Sequence, residues 1–313
     1  MTEGRLYISP GPHVFGGKST PSMMLDVIVA LIPAVFTSVY FFRIKAVLVI
    51  SVSIVSCVLT EAVIELLMKR KVTLYDYSAV LTGMLFAMVM PPAIPLWAVA
   101  LGSITAVGLA KQLFGGLGYN IFNPALLGRA FLMAAFPTYM TTWTKPITLD
   151  TVTTATPLGL VKFGHVMDTG YWDLFTGNIS GSLGETSAAA LIIGGIYLLA
   201  RKTIDWRVPF SYLASFFAIS CAFWLAAPEI YAPPGFHLLA GGLMLGAVFM
   251  ATDPVTSPVT KRGRWIFGIG CGIITVIIRF WGGLPEGVMY SILLMNAVTP
   301  LINRFTKPKR YGI

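Results

Sequence analysis

Charged side chains are scarce in this chain: 11% of residues, against roughly 25% in a soluble domain, beside 56% hydrophobic residues and a mean hydropathy of +0.78. That shortage excludes a soluble enzyme and predicts an integral membrane protein. Cysteine is nearly missing. Cys57, Cys221 and Cys271 lie singly in apolar runs, so no CxxC pair offers an iron–sulfur or zinc site, and they read as small core residues. The three histidines, His13, His165 and His237, do not form facing pairs within helices, which argues against haem ligation. The run Gly11-Pro12-His13-Val14-Phe15-Gly16-Gly17-Lys18-Ser19 is no phosphate loop, because proline stands where the first glycine belongs and no strand precedes it. Residues 1–22 carry no apolar segment, so a cleavable signal peptide is not expected.

Ten apolar segments are present instead, at 23–42, 45–68, 79–90, 94–114, 124–137, 187–200, 208–227, 237–250, 265–280 and 287–303. A membrane span needs ~20 apolar residues, and the third and eighth are too short to cross as straight helices. Both end at proline-containing breaks, Met90-Pro91-Pro92 and Ala251-Thr252-Asp253-Pro254. They also look alike, Gly83-Met84-Leu85-Phe86-Ala87-Met88 beside Gly242-Leu243-Met244-Leu245-Gly246-Ala247. Third of five and eighth of ten are matching places in two halves. Five is odd, so the second half enters from the opposite side, giving an inverted repeat. Interrupted helices at matching places in such halves point to a central binding site. The expected layout is an N-terminal segment at 1–22, a first membrane repeat at 23–137, a loop at 138–186, a second repeat at 187–303 and a basic tail at 304–313.

Lysine and arginine set the expected orientation. If every segment crosses, the side with both termini carries Arg5, Lys18, Lys69, Arg70, Lys71, Lys111, Arg201, Lys202, Arg207, Lys261, Arg262, Arg264, Arg304, Lys307, Lys309 and Arg310. The other side has only Arg43, Lys45, Lys145 and Lys162. That split places both termini in the cytoplasm and the 138–186 loop outside. The net charge of +9 is then mostly topology and gives no reason to invoke nucleic acid. Asn178-Ile179-Ser180 is a glycosylation sequon with meaning only in a secretory pathway.

Four polar features interrupt the apolar pattern. Nine threonines fall between Thr138 and Thr156, and the loop contains Asp150-Thr151-Val152-Thr153-Thr154-Ala155-Thr156. The pattern Asp-x-x-(Ser/Thr)-x-Ala-(Thr/Ser) resembles the site where a flavin transferase esterifies the phosphate of FMN onto a threonine, here Thr156; otherwise it is a hydrated, Thr-rich external loop. Asn120 and Asn123 flank Ile121-Phe122 before Pro124. Asn123 suits a helix cap, whereas two amides together could meet the donor–acceptor edge of a flat heterocycle. Asp253 at the end of a half-buried helix is costly enough to suggest a role, or else serves as a turn residue before proline. Arg129 and Arg279 lie inside apolar runs and require partners, with Glu61, Glu65, Asp26 and Glu286 as candidates. A structural ion pair is the simpler expectation for them.

Taken in order, these residues resemble one family. Pro12-His13, Ser19-Thr20, Met24-Leu25-Asp26 with Ala30-Leu31-Ile32-Pro33-Ala34, Tyr119 to Ala125, Asp150 to Leu158, and the 251–264 stretch ending Lys261-Arg262-Gly263-Arg264 match along essentially the whole chain. The sequence is similar to the RnfD/NqrB family, whose members belong to the Rnf ion-translocating electron-transport complex and to the sodium-pumping NADH:quinone oxidoreductase. The short N-terminal region favours the Rnf branch. One departure is Thr154, where the flavinylation pattern usually has glycine. The resemblance implies an all-α integral membrane protein with ten transmembrane helices in two inverted five-helix repeats, urea-transporter-like, with two short broken helices. It implies covalent FMN on Thr156, with Asp150, Thr153 and Ala155 in the motif that the transferase reads. It further implies a noncovalent riboflavin near Asn120, Asn123 and Asp253. The implied setting is a prokaryotic cell (inner) membrane, with the A, B, C, E and G components of an Rnf complex as partners. There, electrons pass between ferredoxin and NAD with coupled Na+ or H+ movement. A passive channel or solute transporter would account for the repeat without redox chemistry, and a scaffold would account for the arginines and little else.

Overall fold

A computed structural model describes residues 19–70, 72–146, 156–164 and 169–307, and among these every regular element is helical. The first described element is α1 (Thr20–Phe42), whose cap Ser19 accepts the Ser22 N–H at 3.4 Å ahead of a first-turn proline. Leu31, Ala34, Ser38 and Phe42 face inward, while Leu25, Ile32, Phe36 and Tyr40 face out. An apolar exposed face on a helix this long is what lipid covers. Arg43 turns the chain at φ 51° directly into α2 (Ile44–Leu67). Then come α3 (Ser78–Met88), α4 (Leu96–Val107, extended to Gln112 by a π-helical turn) and α5 (Pro124–Ala135).

The expected 138–186 loop is not merely hydrated polar chain. It contains α6 (Pro137–Met140), α7 (Pro157–Gly164) and α8 (Tyr171–Thr176). Leu158, Leu174 and Ile179 form a second apolar core there with Ala232, Phe236 and Ala240. The second half follows as α9 (Ala188–Ala200), α10 (Arg207–Ala226), α11 (Pro234–Leu239) and α12 (Leu243–Leu245, continued by a π-turn to Met250). It closes with α13 (Lys261–Trp281) and α14 (Val288–Phe305).

Among the described residues four helices, α1, α2, α10 and α13, are long and apolar enough to cross a membrane by themselves. The 11, 12 and 13 residues of α3, α5 and α9 give only about 16–20 Å at 1.5 Å per residue, short of the ~30 Å hydrocarbon thickness. Interruption therefore goes further than the two short helices expected. The 237–250 segment is itself split at Gly241, whose φ of +72° ends α11. A Cβ at Gly241 would stand 2.5 Å from Leu158 Cδ1, so α7 packs against that break.

In the first half, α2 packs on α3 and α4, and α4 on α5. In the second, α10 packs on α13, and α13 on α14. Across the halves α1 lies against α9, and α5 touches α14. The enclosed centre is α3, buried along almost its whole length, with α12 and its π-turn. Residues 182–186 pass between these two short helices. Gly184 makes that possible, because a Cβ there would meet Met88 Cβ at 2.8 Å and Leu245 Cδ2 at 2.9 Å.

Candidate functional sites at the two ends of one helix

The first site is a cavity of about 770 Å³, counting its open mouth, between the start of α1, the start of α3 and the ends of both π-turns. Asn120, Asn123 and Asp253 all line it, so the fold brings together three residues that the sequence singled out. Their side chains are differently occupied. Asn123 caps α5 by accepting the Leu126 N–H at 3.3 Å, and its amide donates to Met250 O at 3.3 Å, tying the two halves together. Both of its polar atoms are thus used by the protein, which favours the capping role. Asp253 accepts from Val255 N at 3.1 Å and Thr256 Oγ1 at 3.2 Å, a local turn of the kind that aspartate before proline makes. Asn120 is the exception. Its amide donates to Phe122 O at 3.2 Å, but its Oδ1 is buried with no partner among the described residues, in a residue only 5% exposed.

Sequence reasoning missed a fourth residue of this wall. Lys111, counted above with the cytoplasmic charges, is 1% exposed and lines the cavity. It donates to Glu61 Oε1 and to Ser78 Oγ, each at 2.6 Å, and Gln112 supports Glu61 at 3.0 Å. Lys111 sits in the π-turn of α4, and Phe249 in the π-turn after α12 lines the same cavity. π-turns concentrate at functional sites because they cost helix hydrogen-bond geometry. The available signal was a lone lysine inside the apolar 94–114 run.

The second site lies at the other end of α5. Pro124 touches the first cavity and Met133 the second, about 14 Å apart at 1.5 Å per residue. This second pocket, about 480 Å³, is lined by Thr156, Trp143, Met289 and Tyr290 with Arg129 and Glu286. Thr156 was expected on an exposed loop, yet it is 6% exposed. Its Oγ1 accepts the Gly159 N–H at 3.1 Å and its carbonyl accepts from Leu160 N at 2.9 Å, so it is the N-cap of α7. Asp150, Thr153 and Ala155 lie outside the described residues.

Behind this pocket Arg129 finds its partners: Glu286 at 2.7 Å and Glu185 at 3.7 Å. Glu286 was among the candidates. Glu185 was not, because it belongs to a segment read as loop. Arg279 makes no ion pair among the described residues; it donates to His237 O at 2.6 Å and Ala240 O at 3.2 Å, capping the buried C-terminal end of α11. Asp26 pairs with Arg201 at 3.1 Å, and Glu65 accepts from Thr73 Oγ1 at 2.5 Å.

Two groups at the helix ends complete the electrostatics. Lys162 on α7 donates to the carbonyls of Ile278 at 3.1 Å, Gly282 at 2.5 Å and Leu284 at 2.8 Å, fastening α7 to the end of α13. Burial, with the Arg279 charge nearby, holds its pKa below the usual lysine range. Between α9 and α10, burial would raise the Asp205 carboxyl, but the Arg207 N–H and the guanidinium groups of Arg264 and Arg207 outweigh it and hold the group below the usual aspartate range.

Known proteins share this sequence along its length. The profile of the NQR2, RnfD, RnfE family matches residues 7–312. The chain is 47% identical to the D subunit of the Na(+)-translocating ferredoxin:NAD(+) oxidoreductase complex of Acetobacterium woodii, over all of this chain and 97% of that one. It is 46% identical to the D subunit of the proton-translocating ferredoxin:NAD(+) oxidoreductase complex of Clostridium ljungdahlii, over 97% and 96% of the two chains. The D subunit of an ion-translocating oxidoreductase complex from Stutzerimonas stutzeri is 40% identical over 94% and 93%.

Proposed function

The chain belongs to the NQR2, RnfD, RnfE family, and from that premise we propose that it is the D subunit of a membrane-bound, ion-translocating ferredoxin:NAD+ oxidoreductase complex. The observation that carries this reading is similarity along the whole length of the chain to D subunits of two such complexes, of which it covers 97% and 96%. Two relatives of nearly equal identity are named for different ions, so the ion is assigned to neither sodium nor protons. The chain works as one subunit among others and is not active alone.

Within that complex the protein holds two flavins, FMN esterified to Thr156 and a noncovalent riboflavin in the cavity of Asn120, Asn123 and Asp253. Flavins supply one- and two-electron transfer; the protein binds, orients and shields them. The residues present fit both groups. Thr156 caps α7, so a phosphate on its Oγ1 would stand at a helix N-terminus, where backbone N–H groups and the helix dipole favour an anion. Trp143, Met289 and Tyr290 give that pocket apolar and aromatic walls for a flat ring, and Arg129 adds positive charge. In the first cavity the Oδ1 of Asn120, which has no donor among the described residues, suits a ring N–H. Helix α5 spaces the two sites. Thr154 in place of the usual glycine adds bulk beside the attachment point without removing the nucleophile.

The matched packing of α2 on α4 with α10 on α13, of α4 on α5 with α13 on α14, and the pairing of α1 with α9 and α5 with α14 all support the inverted five-helix repeat. A passive solute channel of the same architecture would bind no flavin. The test is a denaturing gel viewed under ultraviolet light after co-expression with the flavin transferase. The wild type should fluoresce and Thr156→Ala should not, while both remain in the membrane fraction. Flavin mapped to Thr153 or Thr154, or full fluorescence in Thr156→Ala, would overturn the assignment.

A further inference from the structure

We propose that Lys111 is a ligand-facing residue of the inner cavity, where its ammonium stabilises the reduced, anionic form of the bound ring and so sets its redox potential. This rests on the inner-flavin reading above. An ammonium has three N–H donors. Two are fixed by Glu61 and Ser78, and among the described residues the third has no protein acceptor, on a side chain that lines the cavity. Asn120, whose buried Oδ1 has no partner among the described residues, lines the same cavity, so the lining offers a cationic donor and a neutral acceptor. A pyrimidine-type ring edge, with carbonyl oxygens beside an N–H, is complementary to that pair.

A structural ion pair would require less. Burying Lys111 and Glu61 only to satisfy one another is expensive, because each ion loses hydration. Here Glu61 also leaves Oε2 without a partner among the described residues, so the pair is not closed on itself. The π-turn that carries Lys111 brings it to the cavity wall at the expense of regular helix hydrogen bonding. These features favour a charge held ready for a third group.

The chemistry fixes the sign. A neutral oxidised ring that gains two electrons from the reductant and one proton from water becomes a monoanion. A nearby ammonium in low dielectric binds that monoanion more tightly than the neutral ring. The measurement is a dithionite titration of the noncovalent flavin in the purified complex, followed by its visible spectrum. Lys111→Gln should weaken binding of the reduced form relative to the oxidised form at least tenfold, a fall of about 30 mV for a two-electron couple. Lys111→Arg should restore most of it. Glu61→Gln, which leaves the ammonium less neutralised, should shift the potential the opposite way; it decides the matter alone if Lys111→Gln does not assemble. Unchanged potentials with flavin still bound would overturn the role of Lys111 while leaving the inner flavin intact. A wild-type complex that releases no noncovalent flavin on mild denaturation would overturn both.

Discussion

Removing the guanidinium of Arg129 should expose how the two halves are held together. Arg129 comes from the first half, whereas Glu185 precedes α9 and Glu286 lies between α13 and α14. The side chains of Arg129 and Glu185 are 5% and 2% exposed, and that of Glu286 is 18% exposed. Arg129→Met leaves two carboxylates facing one another, and Arg279 cannot substitute because its terminal nitrogens are committed to His237 O and Ala240 O. Breaking a buried pair by deleting one partner costs roughly 3–5 kcal/mol. The partial exposure of Glu286 lets water or a proton relieve some of that, so a loss of about 3 kcal/mol is expected, at the lower end of the range. The assay is unfolding in mixed micelles of increasing sodium dodecyl sulfate, read by tryptophan fluorescence. Arg129→Met with Glu286→Gln should recover a large part of the loss, because the second change removes one of the stranded charges. A loss below about 1 kcal/mol for the single variant, the magnitude of a surface pair, would refute the reasoning.

Two further outcomes are expected. Lys162→Met removes three hydrogen bonds to the end of α13 and should cost about 1–3 kcal/mol, seen as faster proteolysis between α6 and α8. Because the folded state binds the Lys162 proton less tightly than the unfolded chain, wild-type stability should rise with pH as the usual lysine range is approached, and the variant should lose that slope. For orientation, a cysteine at the exposed Lys145 should react with an impermeant maleimide on intact cells and one at the exposed Lys307 should not; the reverse pattern would overturn the assignment of both termini to the cytoplasm.

The class of protein was legible in composition and hydropathy alone. Few charges and long apolar runs leave only helices as membrane-compatible structure, since every backbone polar group must be satisfied within the segment. Proline after Asn123 and the break at Pro254 marked helix ends, because proline lacks an N–H and fixes φ. Family membership was likewise legible in linear motifs. Partnerships were not. Asp26 with Arg201, Glu61 with Lys111 and Arg129 with Glu185 and Glu286 join residues far apart in sequence, and hydropathy carries no record of which charge meets which. Tertiary structure alone decided that Lys111 is buried at a cavity rather than solvated at a cytoplasmic edge. A lone lysine near a segment end fits either place until α2 and α3 are packed around it. It alone decided, too, that Thr156 caps a helix inside a pocket. A run of small hydroxyl residues has no hydrophobic period, and burial came from Leu158 and the break at Gly241, which pack α7 onto the second half.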